Sequence, residues 1–393
     1  MLDWLIVGGG VHGTHLSNIL IHKYGVPADR LAVLDPFDEP MERWRHCTSN
    51  TGMTHLRSPV VHHLGLKPMG LKSFSTSRAG RQVASFRPPY DRPSLKLFEA
   101  HCTHLCESGG LCSVRRKGRA HDLRSLRSGG FEVETNQGAL QARRIVLAMG
   151  SGETPSWPRW AERLKKVGGN VRHIFEDEFC IDSLGSHEEV VIVGLGISAA
   201  QLANRLAQRQ DGAITVLSRH EIRVHQFDSE PCWLGPKCQA PFRKLTQYEK
   251  RRQAIEKARH RGSMTQDVAR QFRQRLQWGG LRLRSAAVES THLDQNKRME
   301  LRLSDGECLS ATAVVLATGF ESPRPDKSWL AGAIESMELA CASCGFPIVD
   351  EALQWREGLH VSGPLAELEL GPAARNIAGA RMTGRRLAHV IAG

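Results

Sequence analysis

Nowhere in these 393 residues do eighteen apolar residues stand in a row. No segment therefore has the length and hydropathy to cross a bilayer as a helix. Internal repeats and low-complexity tracts are absent as well, which excludes a repeat architecture. Ten cysteines are too few for a disulfide framework in a chain this long. Beside Cys341 and Cys344 there is no second pair at the spacing a zinc site would need. No residue pattern marks a catalytic dyad or triad. The first apolar strand opens at Leu2 and leaves no room for a secretory signal. The expectation is a cytoplasmic protein with most of its cysteines as reduced thiols. What remains, at 40% hydrophobic residues, is a globular chain of two or three domains.

Glycine is present where it carries information. Two fingerprints each follow an apolar run: Leu5-Ile6-Val7-Gly8-Gly9-Gly10-Val11-His12-Gly13, and Val190-Val191-Ile192-Val193-Gly194-Leu195-Gly196-Ile197-Ser198-Ala199. The first glycine permits a tight turn out of a strand, and the second lets backbone approach a pyrophosphate. The third position, Gly13 or Ala199, allows close helix–strand packing. The phosphate would then rest on free N–H groups at a helix N-terminus. After the first unit, the strand Leu31-Ala32-Val33-Leu34 ends in Asp35, placed to take the ribose hydroxyls of FAD or NAD. After the second, Ala213-Ile214-Thr215-Val216-Leu217 ends in Ser218-Arg219-His220, which suits the 2′-phosphate of NADP. The sites thus read as FAD first and NADPH second. The competing readings are a ligand-free glycine turn and, for Arg219, a solvated surface charge. Two more apolar runs, Arg144–Gly150 and Ala313–Phe320, read as buried strands ending in small residues.

These residues resemble the flavoproteins with two dinucleotide-binding domains. Ala317-Thr318-Gly319-Phe320 is similar to that superfamily's ATG strand, and Ala148-Met149-Gly150 to a weaker copy of it. Within the superfamily the chain most resembles single-component flavin-dependent monooxygenases of the lysine and ornithine N-hydroxylase type. Gly169-Asn170-Val171-Arg172-His173 matches the G-x-x-x-H of the monooxygenase linker, with Val167 where the pattern has Phe. Trp44-Arg45-His46 with Met53-Thr54 and Arg57 is similar to the segment against the flavin ring, where Met-Gln and Lys are usual. The tail from Leu370 to Arg381, with Gly371 and Asn376, resembles the last FAD-contacting turn and helix. The resemblance implies an α/β fold of two Rossmann-like dinucleotide-binding domains, the NADPH domain inserted in the FAD domain. It implies oxygenation of an amine nitrogen or a sulfur of a small molecule through a flavin hydroperoxide. On the same resemblance Trp44, Met53, Gly150, Thr318, Gly319, Gly371 and Asn376 would contact cofactor, and His46, Asn50 and Arg57 are candidates for the flavin face.

The expected organisation is an FAD domain from residues 1–180 and 326–393, and an NADP domain at 181–325. The crossings carry proline, near Pro155 and Pro158 and in Ser322-Pro323-Arg324-Pro325. The net charge of +12 is concentrated: residues 241–284 hold 13 Lys or Arg against 3 Asp or Glu. That stretch lies in a basic helical insertion at 225–284 and reads as a solvated helical face, or as a surface steering NADPH and acidic partners. No motif of nucleic-acid binding accompanies it. The turn-rich stretch from His225 to Lys237 either covers the domain cleft or is a structural insertion. Cys341-Ala342-Ser343-Cys344 has the C-x-x-C spacing of thiol redox chemistry. It supports the rival reading, an FAD/NADPH reductase of a thiol, disulfide or protein electron carrier. The expected partners are a small-molecule substrate and oxygen, with no nucleic acid, membrane or metal; homo-oligomerisation is left open.

Overall fold

The computed structural model describes residues 1–150, 154–209, 213–321 and 328–391. Two separate sheets, the first mixed around a parallel core and the second parallel, carry the two fingerprints. The first runs in the order Gln354–Arg356, Leu359–Val361, Gly138–Leu147, Leu2–Val7, Leu31–Asp35, Arg115–Lys117, with the antiparallel pair Ala120–Ser125 and Phe131–Thr135 attached to Gly138–Leu147. Leu2–Val7 is central and pairs in parallel with both neighbours. Its last four residues are buried on both faces, which is why they read as a continuous apolar run.

The second sheet runs Arg282–Ser285, Ile214–Ser218, Val190–Val193, Ala313–Leu316, Val171–His173, all parallel. The chain leaves the first sheet after Leu147 and returns to it at Gln354, so the second sheet is inserted into the first. The insertion begins earlier than the expected boundary at 180. Val171–His173 pairs with Ala313–Leu316, because apolar Val171 seats in the core of the second unit. The segment Ser322–Pro325 lies outside the described residues.

Helices Val11–His22 and Ile197–Leu206 follow the two fingerprint turns. The first buries Leu16, Ile19 and Leu20 as the periodicity requires, and also His12 and His15. Those polar groups are covered by the C-terminal helix Ile377–Ile391 and the loop at Leu64, since this helix has packing on both sides. The basic stretch is helical over Pro236–Arg243, Tyr248–Ala258 and Gln266–Gln277.

Candidate nucleotide sites and the wall between them

Gly8 leaves its strand at φ +111°, and a Cβ there would lie 2.4 Å from the carbonyl oxygen of Ala148. A Cβ on Gly13 would lie 1.8 Å from the Gly8 oxygen, so any side chain would push the helix off the turn. Gly10, by contrast, faces open space at the helix N-cap. It opens on a cavity of about 370 Å³ whose walls include Asp35, Trp44, Gly118, Gly150, Phe320 and Arg375. Asp35 is buried and accepts hydrogen bonds from the N–H groups of Gly9 and Phe37, with the Arg115 guanidinium 3.7 Å away. An open glycine cradle at a helix N-terminus, with a carboxylate at the next strand end, fits a dinucleotide.

The second cavity measures about 750 Å³. Gly194 repeats the strained exit at φ +123°, its absent Cβ facing the Ala317 oxygen at 2.6 Å. Gly196, Ser198, Ser218, Arg219, Thr318 and Gly319 line the space. The Ser218 hydroxyl donates to the His220 carbonyl at 2.8 Å, so it closes the turn that presents Arg219. Ala199 is buried in the helix–sheet core, as a third-glycine position requires. Arg259, His260 and Arg261 also line the cavity. In sequence they belong to the basic run, and that membership is their only signal.

Phe175 lines both cavities. It stacks on Phe320 with ring centres 4.9 Å apart and planes 12° apart. His173 packs against Phe175 and Trp157. Burial lowers the His173 pKa to about 4 and keeps the ring neutral. The linker fingerprint residue thus holds the aromatic wall between the cavities. Nothing in the sequence distinguishes Phe175 from an ordinary core residue, so it is absent from the expected site.

Other candidates stand elsewhere. His46 and Asn50 line neither cavity. The Nε2 of His46 is 3.0 Å from the Glu176 carbonyl, and Asn50 donates to the Phe179 carbonyl at 2.7 Å. Both brace helix Glu42–Thr51 against the crossing segment, because side chains one turn apart reach the same strip of backbone. Neither side chain stands on the wall of the first cavity, where the flavin-face expectation would put it. Arg57 lines the second cavity and donates to the carbonyls of Gln226, His225 and Phe227 at 2.9, 2.8 and 2.6 Å. It fixes the 225–227 loop. Met53 lines neither cavity. Gly371 sits at φ +76° beneath Trp233, and Asn376 donates to Asp228 at 3.1 Å. The turn-rich 225–237 stretch therefore bridges the second unit to the C-terminal return.

Among the described residues the one disulfide joins Cys232 and Cys238 within that stretch. The chain brings their Cα atoms to 5.3 Å, within bridging range, while the other eight cysteines are thiols, in keeping with the expectation that most are reduced. Cys341 and Cys344 form no disulfide with each other, and neither lines either of these two cavities. Cys47 lines the first cavity, where burial pushes its thiol pKa up. The expectation of no metal is also qualified by a grouping of His225, Glu230 and His260. No described helix is long and apolar enough to cross a membrane.

Comparison with known proteins agrees with this geometry. The structure of a cadaverine monooxygenase of desferrioxamine biosynthesis from Erwinia amylovora, bound to FAD, covers 100% of this chain and 94% of its own, at 13% identity and TM-score 0.75. An ornithine N-hydroxylase from Kutzneria sp. 744, with reduced FAD, NADP+ and L-ornithine, covers 100% and 99% at 14% identity and TM-score 0.76. A bacillithiol disulfide reductase from Staphylococcus aureus covers 99% and 98% at 15% identity and TM-score 0.62. These likenesses establish the fold of two Rossmann-like domains. A search of curated proteins finds no match. The family model described as pyridine nucleotide-disulphide oxidoreductase matches residues 120–378, more than half of the sequence. The chain belongs to the pyridine nucleotide-disulphide oxidoreductase family.

Proposed function

We propose that this chain is an FAD- and NADPH-dependent monooxygenase that oxygenates an amine nitrogen or a sulfur of a small molecule. The observation that carries this reading is the pair of cavities meeting at Phe175, one ending in Asp35 and the other in a cluster of cations. Among the described residues no cysteine pair lies at either. The whole-length likeness to a cadaverine monooxygenase and an ornithine N-hydroxylase supports it.

FAD would lie on Gly8, Gly10 and the helix start, its ribose on Asp35 and its phosphates toward Arg375. NADPH would lie on Gly194, Gly196 and Ser198, with Arg219 and Arg261 toward the 2′-phosphate. Once bound, the flavin supplies the redox centre through which two electrons pass from NADPH to oxygen, one oxygen atom going to substrate and the other leaving as water. The protein's part is placement and exclusion of water. Phe175 and Phe320 wall the meeting point with apolar rings. Arg57 positions the 225–227 loop through its carbonyls.

Holoenzyme with NADPH, a panel of primary amines and sulfides, and ¹⁸O-labelled oxygen tests the reading. One labelled oxygen atom per product molecule is expected by mass spectrometry. The likeness to a bacillithiol disulfide reductase keeps a disulfide-reducing activity as the second reading. NADPH-dependent reduction of a disulfide, with no labelled product across the panel, would establish that reading instead.

A further inference from the structure

His225, Glu230 and His260 bring three ligand atoms within 4.8 Å of one another. Nothing in the proposed oxygenation uses them together. His260 Nε2 lies 3.1 Å from Glu230 Oε1. The His225 and His260 rings stack with centres 3.7 Å apart and planes 6° apart. Two imidazole nitrogens and one carboxylate oxygen thus lie close together, and the rings need only turn out of their stack for their in-plane lone pairs to meet at one ion. Two histidines and a glutamate are a ligand set that zinc takes with a fourth position open. Hard cations such as Mg²⁺ prefer all-oxygen shells and would be passed over.

The backbone beneath the three residues is already fixed. The His260 N–H donates to the Asp228 carbonyl at 2.8 Å, and Ser229 pairs with Arg259 in an isolated bridge. His225 N–H donates to the Met264 carbonyl at 3.0 Å. The carriers of the ligands therefore need only side-chain rotation to close around an ion. His225 and Glu230 are exposed, so solvent leaves room for that rotation once the ring stack and the Glu230 contact open. Ligands at about 2.0–2.2 Å from zinc stand roughly 3.3 Å apart in a tetrahedron, a short contraction from the present triangle.

We propose that His225, Glu230 and His260 form a binding site for one zinc-class divalent cation at the mouth of the second cavity. Its occupant pins the 225–230 loop to the turn at His260. That loop carries Asp228, which faces the same cavity, and the three carbonyls held by Arg57. The site is thus a staple on the wall of the nucleotide cavity, and it stands whatever reaction the cavity serves.

The test is zinc titration of the holoprotein against a chromogenic chelator, with Mg²⁺ as control. Wild type is expected to bind one equivalent of zinc that His225→Ala and Glu230→Gln each weaken at least tenfold. Hydrogen exchange over residues 225–235 should slow on zinc addition in wild type and stay unchanged in both variants. Cys341→Ser and Cys344→Ser should keep the site, which separates it from adventitious thiol binding. Zinc binding that survives both His225→Ala and Glu230→Gln, or no zinc-dependent protection of the loop, would overturn the proposal.

Discussion

Lowering the pH from 7.5 to 5 should unfold this protein well before its carboxylates titrate. Five of the buried histidines carry the effect: His12, His15, His63, His101 and His173. Burial depresses the pKa of His12, His63 and His173 to about 4 and of His15 and His101 to about 3. The Arg381 cation adds to this for His15 and His63. The unfolded chain binds protons at these sites below about pH 6.5 while the native chain does not. Stability is therefore complete above pH 6.5 and falls as the pH drops toward the depressed native values. At pH 5 each group costs about 2 kcal/mol relative to neutral pH. Five together set an upper limit of about 10 kcal/mol, comparable to the whole stability of an ordinary domain.

Urea unfolding of the holoprotein at pH 7.5, 6.5, 5.5 and 5.0 reads this directly. His101→Phe isolates one group. Its ring already packs at 5.3 Å from Phe74 and 5.1 Å from His63, and its Nδ1 has no hydrogen-bond partner. Any packing cost of the larger ring is common to all pH values and cancels in the difference. The variant should lose about 2 kcal/mol less than wild type between pH 7.5 and 5. Equal losses in the two proteins, or stability flat down to pH 5, would refute the reasoning.

Gly13→Ala should abolish flavin retention on gel filtration, since its methyl would meet the Gly8 oxygen at 1.8 Å; relief of such overpacking costs about 1–3 kcal/mol and displaces the cradle. Arg219→Ala should raise the KM for NADPH by about 10- to 100-fold and leave that for NADH unchanged, the worth of a charge-assisted contact to the 2′-phosphate. Phe175→Ala should open the wall between the cavities, so that peroxide formed per NADPH rises while oxygenated product falls. Glu367→Gln should lower stability in urea by about 3–5 kcal/mol, since it leaves Arg252 and Arg375 without their buried counter-charge.

The parts of the fold that are legible in sequence are those in which one local feature decides the outcome. A strand buried on both faces must be apolar throughout, and a phosphate turn must be glycine, so both fingerprints and the strand ends at Asp35 and Ser218 stand where the pattern puts them. The helix Gln266–Gln277 falls within the basic helical insertion expected at 225–284 because its amphipathic period is local. Val171–His173 falls on the far side of the expected domain boundary because three residues carry no period, and its partner lies 143 residues on at Val314. His46 and Asn50 stand away from the flavin cavity for a related reason. Their partners are backbone carbonyls at Glu176 and Phe179, and any residue type presents the same carbonyl. Cysteine spacing likewise says nothing about whether two Cα atoms approach to 5.3 Å.

The basic segment shows that a run of charge does not tell which of its cations leave solvent. Read as a run, it is a solvated face or a steering surface. In the fold most of its cations are exposed, as a solvated face requires, but Arg251 and Arg252 reach inward. Arg252 pairs with Glu367, which is fully buried and also held by Arg375 at 2.6 Å. Arg251 pairs with Glu369 at 2.9 Å and donates to the Leu368 carbonyl. Arg375 in turn lines the first cavity. A guanidinium from the inserted unit thus shares one buried carboxylate with a guanidinium on the wall of the other unit's site. Removing a charge from such a group leaves its partners uncompensated in a poorly solvated place, which is what makes the arrangement resist slippage. Two cations of 241–284 thus act as a fastening between the nucleotide units. A protein that must bring two cofactors edge to edge needs that registry more than it needs a long-range field.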